Sequence, residues 1–330
     1  MNLHTATALL PAWADSHDAH ALPARQMQLP SSPTGLAYAL HWTEAALSGV
    51  LRRHRLRPTR AARYTAEVRP PLLLRERLDK LLDLRPGPAD PLLYVHGAVQ
   101  MLRMQVLADL GVNLGHVRLL RHRCRPQPLA QPAIDAANDQ PAAGEQVSCR
   151  LLRTVRVSPT EVLLLLETRL AAAGDRGAVV VEDALLVDGL EVAYAVQAGD
   201  DDLLRRSVSR MRRRQPELMA DGAGVQRRQL YVAPDVGSRF GRLAGERSPV
   251  HRWLPAARLA GWKRTQVQPM YLRHLVTREM DEWGADGRTL QIVFTRAVAL
   301  GQTLTLLRRE SLFELIDERG RLVAFGKAGA

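Results

Sequence analysis

Residues 92–110 read LLYVHGAVQMLRMQVLADL. This stretch contains no proline and carries apolar side chains such as Met101, Met104 and Leu107, a pattern that predicts a buried helix. The pattern then changes to segments rich in Val and Leu that are separated by Gly, Pro, Asp or Asn, which is typical of successive antiparallel strands. We place these strands at residues 117–123, 147–157, 162–169, 178–186 and 190–198. A helix followed by such strands predicts an α+β unit.

The same order of elements returns in the second half of the chain. A strand at residues 229–232 and an irregular segment up to Pro255 precede a predicted helix at residues 265–283. Further strands are predicted at residues 289–299, 303–310, 313–317 and 322–326. The repetition predicts two copies of one unit, each with an antiparallel sheet wrapped around its central helix.

Four segments follow from this pattern. Residues 1–63 are a leader with an N-terminal helix at 36–53, and residues 64–200 are the first unit, which opens with a strand at 64–68 and a helix at 75–84. Within that unit, residues 126–144 read as a surface loop. Residues 201–224 are a basic linker, and residues 225–330 are the second unit.

Length and composition fit a soluble globular protein. The chain has 330 residues, enough for two domains, and its hydrophobic fraction of 46% is ordinary. No apolar run approaches the ~20 residues that cross a bilayer, and no signal peptide is recognisable, so we expect a cytoplasmic protein without a membrane span. The two cysteines, Cys124 and Cys149, lie in apolar strand-like segments and are expected to be reduced core residues.

The net charge of +12 indicates an anionic partner. Nucleic acid, the phosphates of coenzyme A and an acidic acyl carrier protein all fit this charge. Nucleic acid is the least favoured of the three because no nucleic-acid motif accompanies the arginines at residues 205–214.

The heptapeptide Gly245-Glu246-Arg247-Ser248-Pro249-Val250-His251 holds an acid and a histidine five residues apart. Ser248 and Pro249 prevent a regular helix between them, so a bent loop can bring both side chains to one pocket. A carboxylate and an imidazole at one water molecule suit general acid and base catalysis. No Cys/His spacing for zinc, no phosphate-binding glycine loop and no G-x-S-x-G motif around Ser248 is present, so no metal or nucleotide cofactor is predicted.

This heptapeptide resembles the G-D-x-N-P-[IL]-H motif of the MaoC-like, (R)-specific enoyl-acyl hydratase and dehydratase family. The segments at residues 231–240 and 256–262 resemble the family's flanking sequences. In the first half, residues 93–96 and 115–118 resemble the N-terminal repeat of the tandem members, although no acid and histidine occur there in the active arrangement. The resemblance covers residues 64–330.

The resemblance implies a double hot-dog fold, with two antiparallel sheets that each wrap a central helix. It implies an acyl thioester in a tunnel, a water shared by Glu246 and His251, and a backbone N–H at the start of the second central helix that polarises the carbonyl. Gln268 and Met270 at that helix start, together with Ser248 and Arg247, are the implied substrate contacts.

Two departures from the family pattern concern the chemistry. Glutamate replaces the family's aspartate at Glu246, and the family's His-Gly-Met becomes Gln268-Pro269-Met270. Pro269 has no N–H, although a Gln268 side chain or Met270 could donate instead. His96 at the start of the first helix is interpreted as a structural histidine.

The leading hypothesis is hydration or dehydration of 3-hydroxyacyl/enoyl thioesters, in a setting such as fatty-acid or polyketide synthesis, by the pair Glu246 and His251. The alternative is a catalytically silent hot-dog protein that binds acyl thioesters or serves as a partner subunit. The sequence leaves open whether the carrier is coenzyme A or acyl carrier protein, and whether the chain forms a homodimer.

Overall fold

A computed structural model describes residues 24–30, 35–51, 63–69, 72–83, 91–127, 145–171, 178–188, 208–209, 211, 214–218, 224–259, 261–286 and 289–329. The predicted leader before residue 24 and the predicted strand at 190–198 lie outside the described residues, as does most of the loop predicted at 126–144. Within the described residues, no helix is long and apolar enough to cross a membrane.

The first unit consists of helices and long strands in the predicted order. Its helices are α1 (Leu36–Leu51), α2 (Leu72–Leu82) and the central helix α3 (Pro91–Asp109), followed by a 3-10 turn at Leu114–His116. Its strands are β1 (Ala24–Gln26), β2 (Arg63–Val68), β3 (Val117–Gln127), β4 (Glu145–Ser158), β5 (Glu161–Ala171) and β6 (Ala178–Asp188).

The second unit repeats this order with shorter strands. It contains β7 (Gln226–Tyr231), α4 (Val236–Leu243), a 3-10 turn at Pro249–His251, α5 (Leu254–Leu259), the central helix α6 (Pro269–Glu282), β8 (Leu290–Phe294), β9 (Thr303–Arg309), β10 (Leu312–Ile316) and β11 (Leu322–Ala328). Helix α6 begins at Pro269 instead of residue 265, because proline suits the first helical turn and has no N–H to donate further in. Helices α4 and α5 lie where the sequence predicted an irregular segment.

All described strands belong to one sheet in the order β1-β2-β4-β5-β6-β3-β8-β11-β10-β9-β7. The units join where β3 pairs antiparallel with β8, for example His122 with Ile292. The prediction of two separate sheets is therefore wrong in this respect. Pairing β3 with β8 satisfies the backbone groups that two separate units would each leave open at an edge strand.

The central helices pack on this sheet. Leu102 and Val106 of α3 belong to the core of the first unit, and Leu272 and Val276 of α6 belong to that of the second. The second core also includes Leu78 of α2, so the first unit helps to bury the second.

Several described residues of the predicted basic linker pack against the sheet. Val208, Met211 and Leu218 are buried in a cluster with residues of β10 and β11. The Arg214 guanidinium donates to Glu314 at 3.2 Å and stacks 4.1 Å from the centre of the Phe325 ring. Arg214 is thus not available to nucleic acid, and residues 205–207, 210 and 212–213 lie outside the described residues.

Both cysteines are free and buried, as predicted. Burial raises the pKa of the Cys124 thiol to about 12 and that of Cys149 to about 11. Such thiols stay protonated and unreactive at neutral pH.

Candidate active site

The loop at residues 244–251 is held by glycines of two helices. A Cβ on Gly237 of α4 would lie 2.3 Å from the His251 carbonyl oxygen, and one on Gly241 would lie 2.4 Å from that of Glu246. On the opposite side, a Cβ on Gly97 of α3 would lie 2.9 Å from the Ala244 carbonyl oxygen. Because no side chain fits at these positions, both helices approach the loop backbone directly.

The Glu246 carboxylate lies between two imidazoles. One oxygen, Oε1, is 3.5 Å from His251 Nε2, and the other, Oε2, is 3.2 Å from His96 Nε2. Burial by itself raises the pKa of Glu246, but the hydrogen bonds and charges of His251 and His96 hold it well below its usual value. Glu246 is therefore ionised at neutral pH.

The His251 ring has a fixed orientation. Its Nδ1 donates to the Gln266 carbonyl oxygen at 2.9 Å, and its backbone N–H donates to the Ser248 carbonyl oxygen at 3.3 Å. Because a carbonyl only accepts, Nδ1 carries a proton and Nε2 remains to exchange one with Glu246 or with a bound water. The structure thus places Glu246 and His251, the pair singled out in the sequence, in contact.

His96, which the sequence suggested to be a structural histidine, contacts Glu246 of the other unit across a sequence separation of 150 residues. This contact was not predicted from the sequence. Only a pairing between the halves of the chain could have identified it, because neither its neighbours nor its spacing resembles the acid-x4-His motif.

Tyr38 of α1 closes the site on the side of the first unit. Its hydroxyl donates to the Gly97 carbonyl oxygen at 2.5 Å, and burial raises the pKa of this phenol above its usual value. A groove of ≈ 400 Å³, its open mouth included, lies beside Tyr38 and Gly97 and is also lined by Leu29, Leu74 and Tyr94. On α3 the groove is lined by Tyr94, Gly97 and Ala98.

Aromatic and basic side chains surround the site from α4 and α6. The His96 ring lies 5.7 Å from that of Phe240 and 6.5 Å from that of His274, measured between centroids. Burial and the adjacent Arg273 hold the pKa of His274 well below its usual value. His274 is therefore neutral, and it adds no positive charge beside His96.

The start of α6 lies beside this loop. Gln268 is fully buried, and its Nε2 donates to the Gly237 carbonyl oxygen at 2.8 Å, which joins α6 to α4. Its Oε1 accepts no hydrogen bond from the described residues. Pro269 is the first residue of α6, and Met270 follows it. The N–H of Met270 belongs to the first helical turn, where backbone donors lack intrahelical acceptors.

Arg247 and Ser248 lie between the two candidate catalytic residues and are partly exposed. The pKa of Arg247 is lowered by its burial and by the nearby cations Arg252 and Arg242. Among the described residues, no group of three or more His, Cys, Asp or Glu side chains is arranged to hold a metal ion.

No protein-family model and no curated protein matches the sequence. The crystal structure of HtdX of Mycobacterium tuberculosis is similar, with a TM-score of 0.54 and 15% identity over 82% of this chain and 100% of that chain. A MaoC-like dehydratase has a TM-score of 0.53 and 10% identity over 77% of this chain and 94% of that one. Full-length peroxisomal multifunctional enzyme type 2 of Drosophila melanogaster has a TM-score of 0.51 and 15% identity over 81% of this chain and 48% of that one.

This chain has the hot-dog fold of the MaoC-like dehydratases. The resemblance predicted from residues 245–251 is thereby confirmed for the fold. In this hot-dog chain the loop that carries the resemblance lies between α3 and α4, in contact with Gly97 of one unit and Gly237 of the other.

Proposed function

We propose that this protein hydrates enoyl thioesters, or dehydrates 3-hydroxyacyl thioesters, with Glu246 and His251 as the acid/base pair. The observation that carries the proposal is the buried Glu246 carboxylate 3.5 Å from an imidazole whose other nitrogen is anchored on a carbonyl. A water about 2.8 Å from both groups fits this geometry, since each is then within hydrogen-bond distance.

In the hydration direction, the water oxygen bonds to the β-carbon and one of its protons passes to the pair. The pair returns a proton to the α-carbon, so that the double bond becomes a single bond and water is added overall. Glu246 and His251 exchange protons as a unit, because each one's charge governs the other's affinity for a proton. Dehydration is the reverse of these steps.

His96 serves as a positioning residue in this scheme. It touches Glu246 Oε2 on the side away from His251, so the carboxylate plane is fixed from both ends. Holding a reacting group within about 1 Å of its productive position is worth on the order of a hundredfold in rate. The first unit thus completes a site whose acid/base pair belongs to the second.

The thioester carbonyl is proposed to bind at the start of α6, where the backbone N–H of Met270 is the donor. Gln268 holds this helix start in place through Gly237. Arg247 and Ser248 are proposed to contact the substrate from the loop. Pro269 removes one donor that a glycine would supply, and loss of one such donor typically costs about 2.7–4 kcal/mol of transition-state stabilisation.

The test follows the disappearance of the conjugated enoyl absorbance with trans-2-enoyl thioesters of coenzyme A and of acyl carrier protein. We expect turnover by the wild-type protein and a fall of about a hundredfold or more in kcat for both His251→Ala and Glu246→Gln. Turnover that survives both substitutions would overturn the assignment of the pair.

Pro269 and the low exposure of the pair, with Glu246 at 7% and His251 at 9%, favour one alternative. It is a silent hot-dog protein that binds acyl thioesters or serves as a partner subunit. A folded protein that binds a non-hydrolysable acyl thioester analogue but hydrates no enoyl substrate would establish it.

A further inference from the structure

The surface around the candidate site is strongly basic. Between residues 242 and 264 the chain carries six cations and a single acid, the buried Glu246. These cations, here called the basic collar, are Arg242, Arg247, Arg252, Arg258, Lys263 and Arg264. All except the partly exposed Arg247 are exposed.

Five of the six cations of the basic collar have no acidic partner among the described residues. Arg242, Arg252, Arg258, Lys263 and Arg264 form no ion pair within the part of the chain that the structure describes. The Arg247 guanidinium is close enough to Arg252 and Arg242 for their charges to lower its pKa, so these cations are also close in space. Uncompensated like charges that repel one another attract an anionic partner.

Large apolar side chains are exposed within the same surface. Trp253 is 66% exposed, Leu254 40% and Leu259 91%. They lie on and next to the short helix α5, between the basic residues. Exposed tryptophan and leucine surrounded by cations indicate a contact surface for a macromolecule, because a small ligand needs a concave pocket to bury apolar groups.

Four residues of the basic collar lie in one segment of the chain, and both ends of this segment adjoin the candidate site. Residues 252–265 connect His251 to Gln266, and the Gln266 carbonyl oxygen accepts a hydrogen bond from His251 Nδ1. The Trp253 N–H donates to the Pro249 carbonyl oxygen, and the Trp262 N–H donates to the Ala257 carbonyl oxygen, each at 2.8 Å. A partner bound to this surface therefore lies next to the candidate catalytic histidine.

We infer that the basic collar, with Trp253, Leu254 and Leu259, is the docking surface for an acidic carrier protein that bears the acyl group as a thioester. This inference rests on the proposed function and selects between the two carriers that the sequence left open. A protein partner accounts for the exposed apolar side chains as well as for the charges, and its position explains how the thioester reaches His251.

The test compares crotonyl acyl carrier protein with crotonyl-CoA as substrates of the double variant Arg258→Glu/Lys263→Glu. We expect kcat/KM for the carrier-protein substrate to fall about tenfold or more at low salt, and less at high salt, while kcat/KM for crotonyl-CoA stays within about twofold. Arg319→Glu, in the exposed turn between β10 and β11, reverses one charge outside the basic collar; it is the control and should change neither value.

Three results would overturn the inference. These are an unchanged kcat/KM for the carrier-protein substrate, an equal fall of kcat/KM for both substrates, and binding of wild-type protein to phosphatidylglycerol vesicles but not to the carrier protein.

If neither substrate is turned over, the proposed function fails, but docking can still be measured by titrating the protein with fluorescently labelled crotonyl acyl carrier protein. Loss of that binding in the double variant alone supports the surface, and equal binding by both variants excludes it.

Discussion

At the residue scale, the Glu246 carboxylate is held by two imidazoles from different halves of the chain. His96→Ala removes one of them, and we expect kcat to fall by about tenfold or more because the carboxylate loses one of its two fixed contacts. Burial then acts on Glu246 with less opposition, so its pKa rises and the acidic limb of the kcat–pH profile moves to higher pH. A His96→Gln variant, which retains a hydrogen-bond donor, should recover part of the rate. An acidic limb that does not move in His96→Ala would contradict this positioning role.

A second residue-scale prediction concerns Asp183, which is fully buried between Arg103 and His122. Burial raises its pKa, but Arg103 and His122 together outweigh this and lower it. Asp183→Asn leaves Arg103 buried without a counter-charge and should lower the free energy of unfolding by about 3–5 kcal/mol, measured with denaturant at neutral pH. Asp188→Asn, in an exposed pair with Arg118, should cost less than about 1 kcal/mol.

The pH dependence of this penalty has a definite sign. Because the pKa of Asp183 is lower in the folded state, its stabilising contribution is complete above its unfolded pKa of about 3.9 and is lost as the pH falls through the folded pKa. The difference in stability between the wild type and Asp183→Asn should therefore shrink in acid. A difference that grows in acid would show that Asp183 is not held as an ionised partner.

At the element scale, the glycine face of α4 contacts the loop at residues 244–251. Gly241→Ala would place a Cβ 2.4 Å from the Glu246 carbonyl oxygen, so the loop or the helix must shift. A displacement of about 1 Å predicts a loss on the order of a hundredfold in kcat/KM. Gly115→Ala, where the added Cβ lies 3.3 Å from Asn113 Oδ1, is the control and should retain activity. Equal activity of Gly241→Ala and the wild type would show that the contact does not position the loop.

At the scale of the whole molecule, the sheet and the site both cross the boundary between the units. We expect a single cooperative unfolding transition, since β3 pairs with β8 and Leu78 of the first unit lies in the core of the second. Ile292→Ala, at the fully buried junction, should lower the free energy of unfolding by about 2–5 kcal/mol. Calorimetry should still show a single transition. Leu259→Ala, at a side chain that is 91% exposed, should change the free energy of unfolding by less than about 0.5 kcal/mol. Two separate transitions would show that the units fold independently.

Local patterns predicted most elements of this fold to within a few residues. The run at residues 92–110 became α3 at Pro91–Asp109, and the Val- and Leu-rich segments became β3 to β6. Helix α4 was not predicted because two glycines and two arginines interrupt its apolar pattern. The glycines contact the loop at residues 244–251, and the arginines face solvent. The contact of Arg214, within the predicted basic linker, with Glu314 was not predicted, because a count of charges does not show which charges pair.

By itself, the sequence predicted the α+β class and the proximity of Glu246 and His251, because Ser248 and Pro249 favour a bent loop that keeps both ends close. Tertiary structure alone decided that His96 joins them, that β3 pairs with β8 into one sheet, and that Gln268 bonds to Gly237. These contacts join residues distant in sequence, where the chain between them imposes almost no geometry. Only the packing of α3, α4 and α6 around one loop brings those groups together.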